Sequence, residues 1–336
     1  PVLGLDELRE SLASKWSRQY QGKVSNQNVA ITSGCNQAFC ASISSFTSEN
    51  DEVILPTPWY FNHHMWLQMA GVKSIPLDTD ANMNPIIEKA EALITDRTRA
   101  IVLVSPNNPS GAIYSNQLLQ NFFDLCKSNQ IRLIIDETYK DFHPNASQPH
   151  TLLENNNWDQ VLTILYSFSK TYRMTGHRIG ALLTSKENLI EIEKALDTFT
   201  VCPPQLGQYA ANWGLNNLEA WAAERRTEIL QRAKHFSEKF QPLSAAGWSL
   251  RGCGAYFAFV EHPFEDESNI LAPLILRDQG ILLMPGTMFY PKHNPLGSRS
   301  FRIAFANIDK NKISTLLERL KDLSYQRLNS KNNMIN

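Results

Sequence analysis

The chain has 336 residues, enough to bury a large core and to hold two structural domains, and its apolar (43%) and charged (19%) content is ordinary for a globular protein. A net charge of -1 gives no electrostatic footprint for nucleic acid or an anionic membrane, no apolar run approaches the ~20 residues of a membrane span, and no secretory signal opens the sequence. Five cysteines, scattered without a CxxC or a Cys/His ligand spacing, argue against a metal site and are expected as reduced, mostly buried thiols of a cytoplasmic protein.

The chain starts at Pro1 without a methionine and enters a helix almost at once, so a native N-terminal segment is expected to be missing. Residues 6–20 have helical spacing, with Leu5, Leu8, Leu12 and Trp16 on one side and Asp6 as candidate cap. Val29-Ala30-Ile31 reads as a short strand running into Thr32-Ser33-Gly34-Cys35-Asn36, after which the pattern is helical through Phe46. A glycine at a strand-to-helix turn lets backbone N–H groups and the helix N-terminus face an anion such as phosphate. Taken alone it marks any β-α turn.

Glu52-Val53-Ile54-Leu55 is the next strand, closed by Pro56-Thr57-Pro58-Trp59-Tyr60, where the prolines stop the strand and hold two aromatics at its end. Trp59 is expected to pack in the core. Ala100–Val104 is a strand followed by the rigid polar turn Ser105-Pro106-Asn107-Asn108-Pro109-Ser110-Gly111. Ile131–Ile135 is another, ending in Asp136-Glu137-Thr138-Tyr139-Lys140-Asp141-Phe142. Apolar strands alternating with helical segments predict a parallel, doubly wound sheet.

Val161-Leu162-Thr163-Ile164-Leu165 then leads into Ser167-Phe168-Ser169-Lys170-Thr171-Tyr172-Arg173-Met174-Thr175-Gly176-His177-Arg178-Ile179-Gly180. A lysine just past a buried strand lies at the edge of the core, where apolar surface disfavours its charged form. A depressed pKa frees the amine to attack a carbonyl and form a Schiff base. Ser167, Ser169 and Arg178 add an anion site beside it. An isolated Ser-x-Ser-Lys is more often a surface lysine in a polar loop. Here each polar segment lies at the C-terminal end of its strand, where parallel sheets bind ligands, and that makes them one site.

Beyond Gly180, Glu187–Leu196 is expected to be helical, interrupted by Val201-Cys202-Pro203-Pro204, with a long charged helix from about Leu218 to Phe240. Trp248-Ser249-Leu250, Ala255–Val260 and Phe301–Phe305 read as antiparallel strands with helices around them. The predicted organisation is a large α/β domain over residues 22–235 and a smaller α+β domain made of 1–21 with 236–330. The Asn/Ser-rich end after Arg327 is expected to fray, leaving 331–336 as a tail.

Asn108-Pro109-Ser110-Gly111, Asp136-x-x-Tyr139, Ser167-x-Ser169-Lys170, Arg178 and Arg302 stand in the order and spacing of the class I/II aminotransferases. From about Leu5 to about Leu323 the chain resembles that family, the fold-type I pyridoxal-phosphate enzymes. The resemblance implies a mostly parallel sheet covered by helices, a smaller α+β domain, pyridoxal 5'-phosphate as cofactor and a homodimer. Lys170 would hold the cofactor aldehyde as a Schiff base and then act as the base that moves a proton. Asp136 would keep the pyridine nitrogen protonated, and Tyr139 and Asn108 would hydrogen-bond the phenolic oxygen. Ser167, Ser169, Arg178 and the turn Gly34-Cys35-Asn36 would hold the phosphate, Tyr60 would stack on the ring, and Arg302 would clamp the substrate carboxylate.

Two departures stand out. Family members have Gly-Trp-Arg where this chain has Gly176-His177-Arg178, with His177 expected as a packing substitute, and a glycine where Tyr290 follows Pro285-Gly286-Thr287-Met288-Phe289. The family's N-terminal arm, with a tyrosine that reaches the partner subunit's phosphate, has no counterpart in this sequence. The implied reaction moves an amino group from an L-amino acid to a 2-oxo acid through a pyridoxamine-phosphate form. A β-eliminating lyase or a decarboxylase shares the fold and the motifs, and a non-catalytic cofactor-sensing domain of a regulator is a further alternative that lacks support from any basic winged-helix segment. Trp59, Tyr60, Tyr256 and Met288 are expected near the pocket and suit a neutral or aromatic side chain.

Overall fold

A computed structural model of the chain describes residues 1–145 and 148–332, residues 325–332 by their backbone alone. The apolar runs form a seven-stranded sheet from β1 (Val29–Thr32), β2 (Glu52–Pro56), β3 (Lys73–Leu77), β4 (Thr98–Val104), β5 (Arg132–Asp136), β6 (Leu162–Ser167) and β7 (Gly180–Leu183). Their spatial order is β1-β7-β6-β5-β4-β2-β3. Pairing is parallel from β6 across to β3, and β7 runs antiparallel to both its neighbours. That single reversal brings the start of β7 to the end where β1 and β6 finish: Gly180 pairs with Thr32 on one side and Ser167 on the other.

Among the described residues, the helices α1 (Asp6–Tyr20), α2 (Cys35–Phe46), α3 (Phe61–Met69), α4 (Ile87–Ala92), α5 (Asn116–Ser128), α6 (Phe168–Thr171), α7 (Lys186–Thr200) and α8 (Gln205–Asn217) accompany this sheet. The strands read as unbroken apolar runs because both faces are covered. Ile31, Ile101, Leu133, Ile135 and Ile164 enter one core with side chains of α1 and α5. Ala30, Val53, Val102, Ile134 and Leu165 enter the other with α2, α3 and α7.

The long helix α9 (Glu219–Lys239) leads to α10 (Gln241–Ala245), β8 (Ser249–Gly254), β9 (Phe257–Glu261), α11 (Ser268–Gln279), β10 (Met284–Pro285), α12 (Pro295–Ser298), β11 (Ser300–Ala304) and α13 (Lys310–Asn332). The second sheet is antiparallel in the order β10-β11-β9-β8. Phe236, Phe240, Trp248, Val260 and Phe301 fill its core. The two units meet backbone to backbone where Gly111, in the turn after β4, packs on Gly254 of β8, and a Cβ at either position would collide with the other's main chain.

Several sequence expectations shift. The first helix was grouped with the small domain, but Leu8, Leu12, Trp16 and Tyr20 are buried in the core of the large sheet, so its packing belongs there. Asp6 does not cap it: Leu5 holds that position, and Asp6 lies inside the first turn, 2.9 Å from Arg9 Nη1. The expected boundary at 235/236 falls within α9, whose Ala233 and Phe236 already belong to the small core. Strand β3 went unread because Pro76 interrupts its pattern, and an edge strand tolerates a proline. Of the cysteines, Cys35 and Cys126 are buried, Cys40 and Cys253 are half-buried and Cys202 is exposed; all are free. The expected frayed end is helical through Asn332, and residues 333–336 lie outside the described ones.

Candidate active site

The C-terminal ends of β1, β4, β5 and β6 face a cleft of about 500 Å³ whose far wall comes from β9 and β11 of the second sheet. Each residue expected to hold the cofactor or the substrate carboxylate lines it except Gly34, which stands just behind. Three groups of side chains divide the space.

The first group suits an anion. Gly34 precedes α2 with φ +91°, and a Cβ there would collide with the Arg178 guanidinium, so only glycine admits this close approach. Cys35 and Asn36 open α2 with their backbone N–H groups toward the cleft end of the helix. Arg178 has a left-handed backbone, which turns its side chain back beside Gly34, where Nη1 donates to the Thr175 carbonyl at 2.9 Å. Ser167 closes the set and caps α6 by accepting from Ser169 N at 3.2 Å. Burial, then the nearby Asp136 charge, pushes the Cys35 thiol well up, so it stays protonated.

The second group centres on a buried carboxylate. Asp136 is the last residue of β5 and only 3% exposed. Oδ1 accepts from Thr138 N at 2.9 Å, and Oδ2 lies 3.3 Å from His63 Nε2 without the alignment of a full hydrogen bond. Burial opposes the charged form, but the His63 contact and the Thr138 bonds outweigh it and hold the carboxyl below the usual carboxylate range. His63 is fixed by stacking on Phe39 with ring centroids 4.0 Å apart. Sequence reading passed over His63, although it stands one helical turn after Tyr60 on α3 and shares its face. The rings of Tyr60 and His63 meet edge to face, and Tyr60 OH reaches Asn36 Oδ1 at 3.4 Å. Burial raises the Tyr60 and Tyr139 hydroxyl pKa values, so both are neutral donors.

The third group centres on Lys170, third residue of the short helix α6. Burial lowers its pKa, and the Arg302 and Arg178 charges lower it further. Arg302 comes from β11 and crosses to the large domain, where Nη1 donates to Asn108 Oδ1 at 2.8 Å. Its guanidinium lies 4.6 Å from the Phe257 ring centroid and 5.3 Å from that of Phe289, and Nε has no partner. A planar cation held in this way can take a carboxylate in two parallel bonds. In the ligand-free chain the neutral amine is the reactive form, so Lys170 should acylate half-maximally at a pH below 10.5, and Arg302→Leu should move that midpoint up. Peptide mapping of labelling against pH checks this. A Lys170 profile that superimposes on that of exposed Lys186 would exclude it.

Other expectations move. Trp59 is buried as predicted, stacked on His64, but neither it nor Met288 lines the cleft. Tyr60 and Tyr256 do, with Phe61 and Phe257 beside them. His177 is exposed and packs as no tryptophan substitute within the chain. Lys140, the other lysine near these motifs, is buried between the Tyr20 and Tyr166 rings and bonded to Gln19, outside the cleft. Among the described residues no group of His, Cys, Asp and Glu could hold a metal ion, and no helix is long and apolar enough to cross a membrane.

Known proteins are similar to this chain in sequence and fold. The aspartate aminotransferase of Thermotoga maritima is 26% identical over 325 residues, covering 95% of this chain and 81% of the relative. An aromatic aminotransferase of Arabidopsis thaliana is 29% identical over 297 residues, covering 85% and 73%. The crystal structure of an aromatic aminotransferase from Pyrococcus horikoshii superposes with a TM-score of 0.85 at 26% identity, over 97% of this chain and 87% of that one. Residues 1–320 match the family model for aminotransferases of class I and II. With that match over nearly the whole chain, and with a buried carboxylate, a lysine and an anion cradle in one cleft, the chain belongs to the class I and II aminotransferases, pyridoxal-phosphate-dependent enzymes.

Proposed function

We propose that the cleft takes an L-amino acid and then a 2-oxo acid in two half-reactions on Lys170. The observation that carries this reading is a lysine of lowered pKa that shares one cleft with a charged, buried Asp136 and with the Arg178 guanidinium beside Gly34. The residues fit pyridoxal phosphate. Gly34, Cys35, Asn36, Ser167, Ser169 and Arg178 would hold its phosphate, Asp136 its ring nitrogen, Asn108 and Tyr139 its phenolic oxygen, and Tyr60 its ring face. When bound, the cofactor supplies an aldehyde and an electron-withdrawing pyridinium ring. Asp136 keeps the proton on that ring nitrogen. Lys170 Nζ takes a proton from one carbon and returns it to another, which requires the neutral amine that burial favours. Arg302, with its unpartnered Nε, orients the substrate through its α-carboxylate.

A second copy of the chain completes this reading. Phe199, Val201, Leu206, Tyr209 and Trp213 expose apolar surface along the end of α7 and α8, and Met65 and Met69 of α3 extend it, linked by the Trp66–Phe199 ring contact. Large apolar side chains exposed in this number on α3, α7 and α8 support a homodimer. The free cysteines fit a reducing, cytoplasmic setting. An amino-donor screen that follows the cofactor's absorbance change tests the reaction, and light scattering tests the dimer.

Substrate class follows from the charges near the pocket. In one subgroup of the family, an arginine six residues before the Pro-Pro turn crosses to the partner's site and binds a second carboxylate. Here that position is Asp197, exposed on α7, and Thr198 to Cys202 include no basic residue. An unpaired carboxylate beside it in a desolvated pocket is disfavoured. The aromatic wall of Tyr60, Phe61, Tyr256 and Phe257 suits an apolar or aromatic side chain. Aspartate is therefore expected to show less than a hundredfold advantage in kcat/KM over phenylalanine and methionine. An advantage above that, about 2.7 kcal/mol, would show that the pocket carries a dedicated second-carboxylate site.

A further inference from the structure

Resting on the assignment of Lys170 above, we propose that Asp141 is a positioning residue that fixes the Lys170 turn against the Tyr139 turn by a single carboxylate. Asp141 lies two residues past Tyr139, outside the cleft, with its side chain 13% exposed. Its Oδ2 accepts from Tyr166 OH and from Thr171 Oγ1, each at 2.7 Å. Tyr166 precedes the Ser167–Lys170 turn and Thr171 follows it directly, so the two bonds bracket the lysine. Both donors are buried, at 2% and 3% exposure.

The turn needs such a tie. Helix α6 has only four residues, too few for its own hydrogen bonds to hold an orientation. Within the turn the Lys170 carbonyl accepts from the Tyr172 and Arg173 N–H groups, Phe168 N donates to the Ile179 carbonyl at 3.1 Å, and Tyr256 OH reaches the Lys170 carbonyl at 3.4 Å. Of these only the Tyr256 contact comes from outside the β6–β7 connection, and none ties the turn to the Tyr139 segment as Asp141 does. A lysine that must reach two carbons in turn loses rate steeply with small misplacement. Burial opposes the Asp141 charge, but Lys140 and Lys15 hold the carboxyl below its usual range, and two hydroxyls on one ionised oxygen make charge-assisted bonds. The proposed role of Asp141 is geometric, carried by its bonds to the two residues that flank the Ser167–Lys170 turn.

Removing Asp141 itself would strand buried Lys140, so the test removes the donors instead. In the holoenzyme, Thr171→Val and Tyr166→Phe should each lower kcat about tenfold and together about a hundredfold, with KM within about twofold. The visible circular dichroism of the cofactor band should change with them, a signal that a general loss of stability does not produce in folded protein. Thr171→Ser, which keeps the hydroxyl, should restore kcat to within about twofold of the parent. A double variant with parental kcat and an unchanged cofactor band would overturn the role of Asp141. Borohydride reduction and peptide mapping of the parent separate the two levels. Cofactor fixed on another lysine would overturn the assignment of Lys170 and this proposal together, whereas cofactor fixed on Lys170 with an unaffected double variant overturns the positioning role alone.

Discussion

Lys170→Ala is expected to bind pyridoxal phosphate and yet to lose at least about four orders of magnitude in transamination rate, the scale of a missing nucleophile and proton carrier. Binding should survive because, apart from Ser167 and Ser169, the groups proposed to hold the cofactor stand on other elements. Asp136 ends β5, Gly34, Cys35 and Asn36 begin α2, Arg178 precedes β7, and Tyr60 precedes α3. None of them bonds to the lysine side chain. Absorbance titration with the cofactor measures the first half of the expectation, and a coupled transamination assay measures the second. Parental turnover in the variant would remove Lys170 from the chemistry. Lys140 could not replace it, since its ammonium is held by Gln19 between two tyrosine rings and does not line the cleft.

Asp136→Asn should leave the chain folded and lower the rate by several orders of magnitude. The carboxylate is a buried negative charge lining the cleft, and its loss removes electrostatic stabilisation worth at least ~3 kcal/mol at comparable preorganised sites. The asparagine keeps the shape and an oxygen for Thr138 N, so the fall would report charge and not packing. Because the Asp136 pKa is depressed in the folded chain, its contribution to stability is full above the ordinary carboxylate range and is lost as pH falls through the lowered value. Chemical denaturation near neutral pH and at acidic pH, run beside the rate measurement, separates the two effects. A rate less than tenfold below the parent would end the argument that this charge holds a proton on the ring nitrogen.

Much of the fold was legible in local pattern. Helix α1 appeared at its observed limits, and the strand cores of β2, β4, β5 and β6 were read from their apolar runs, because a strand buried on both faces must be continuously apolar. The cleft-lining motifs were legible for a related reason: each sits where a strand stops, and prolines, glycines and polar residues that end a strand are distinct in sequence. What failed was long-range. Pro76 hid β3, since an edge strand has no second neighbour for the missing N–H to serve. The apolar face of α1 could be seen, but not which core it enters.

The same divide runs through the site. Sequence by itself determined the residue types and their order, and so the family and its cofactor. Tertiary structure decided their partners: His63 against Asp136, Arg302 across the domain junction to Asn108, and Asp141 around the Lys170 turn. These pairs are separated by tens to hundreds of residues, and a single sequence carries no signal for a contact that depends on how two strands are ordered in a sheet. That order also sets the Lys170 pKa. Its lowering comes from burial and from two arginines, one arriving from the turn before β7 and one from the second sheet, brought beside the lysine only when the chain has closed.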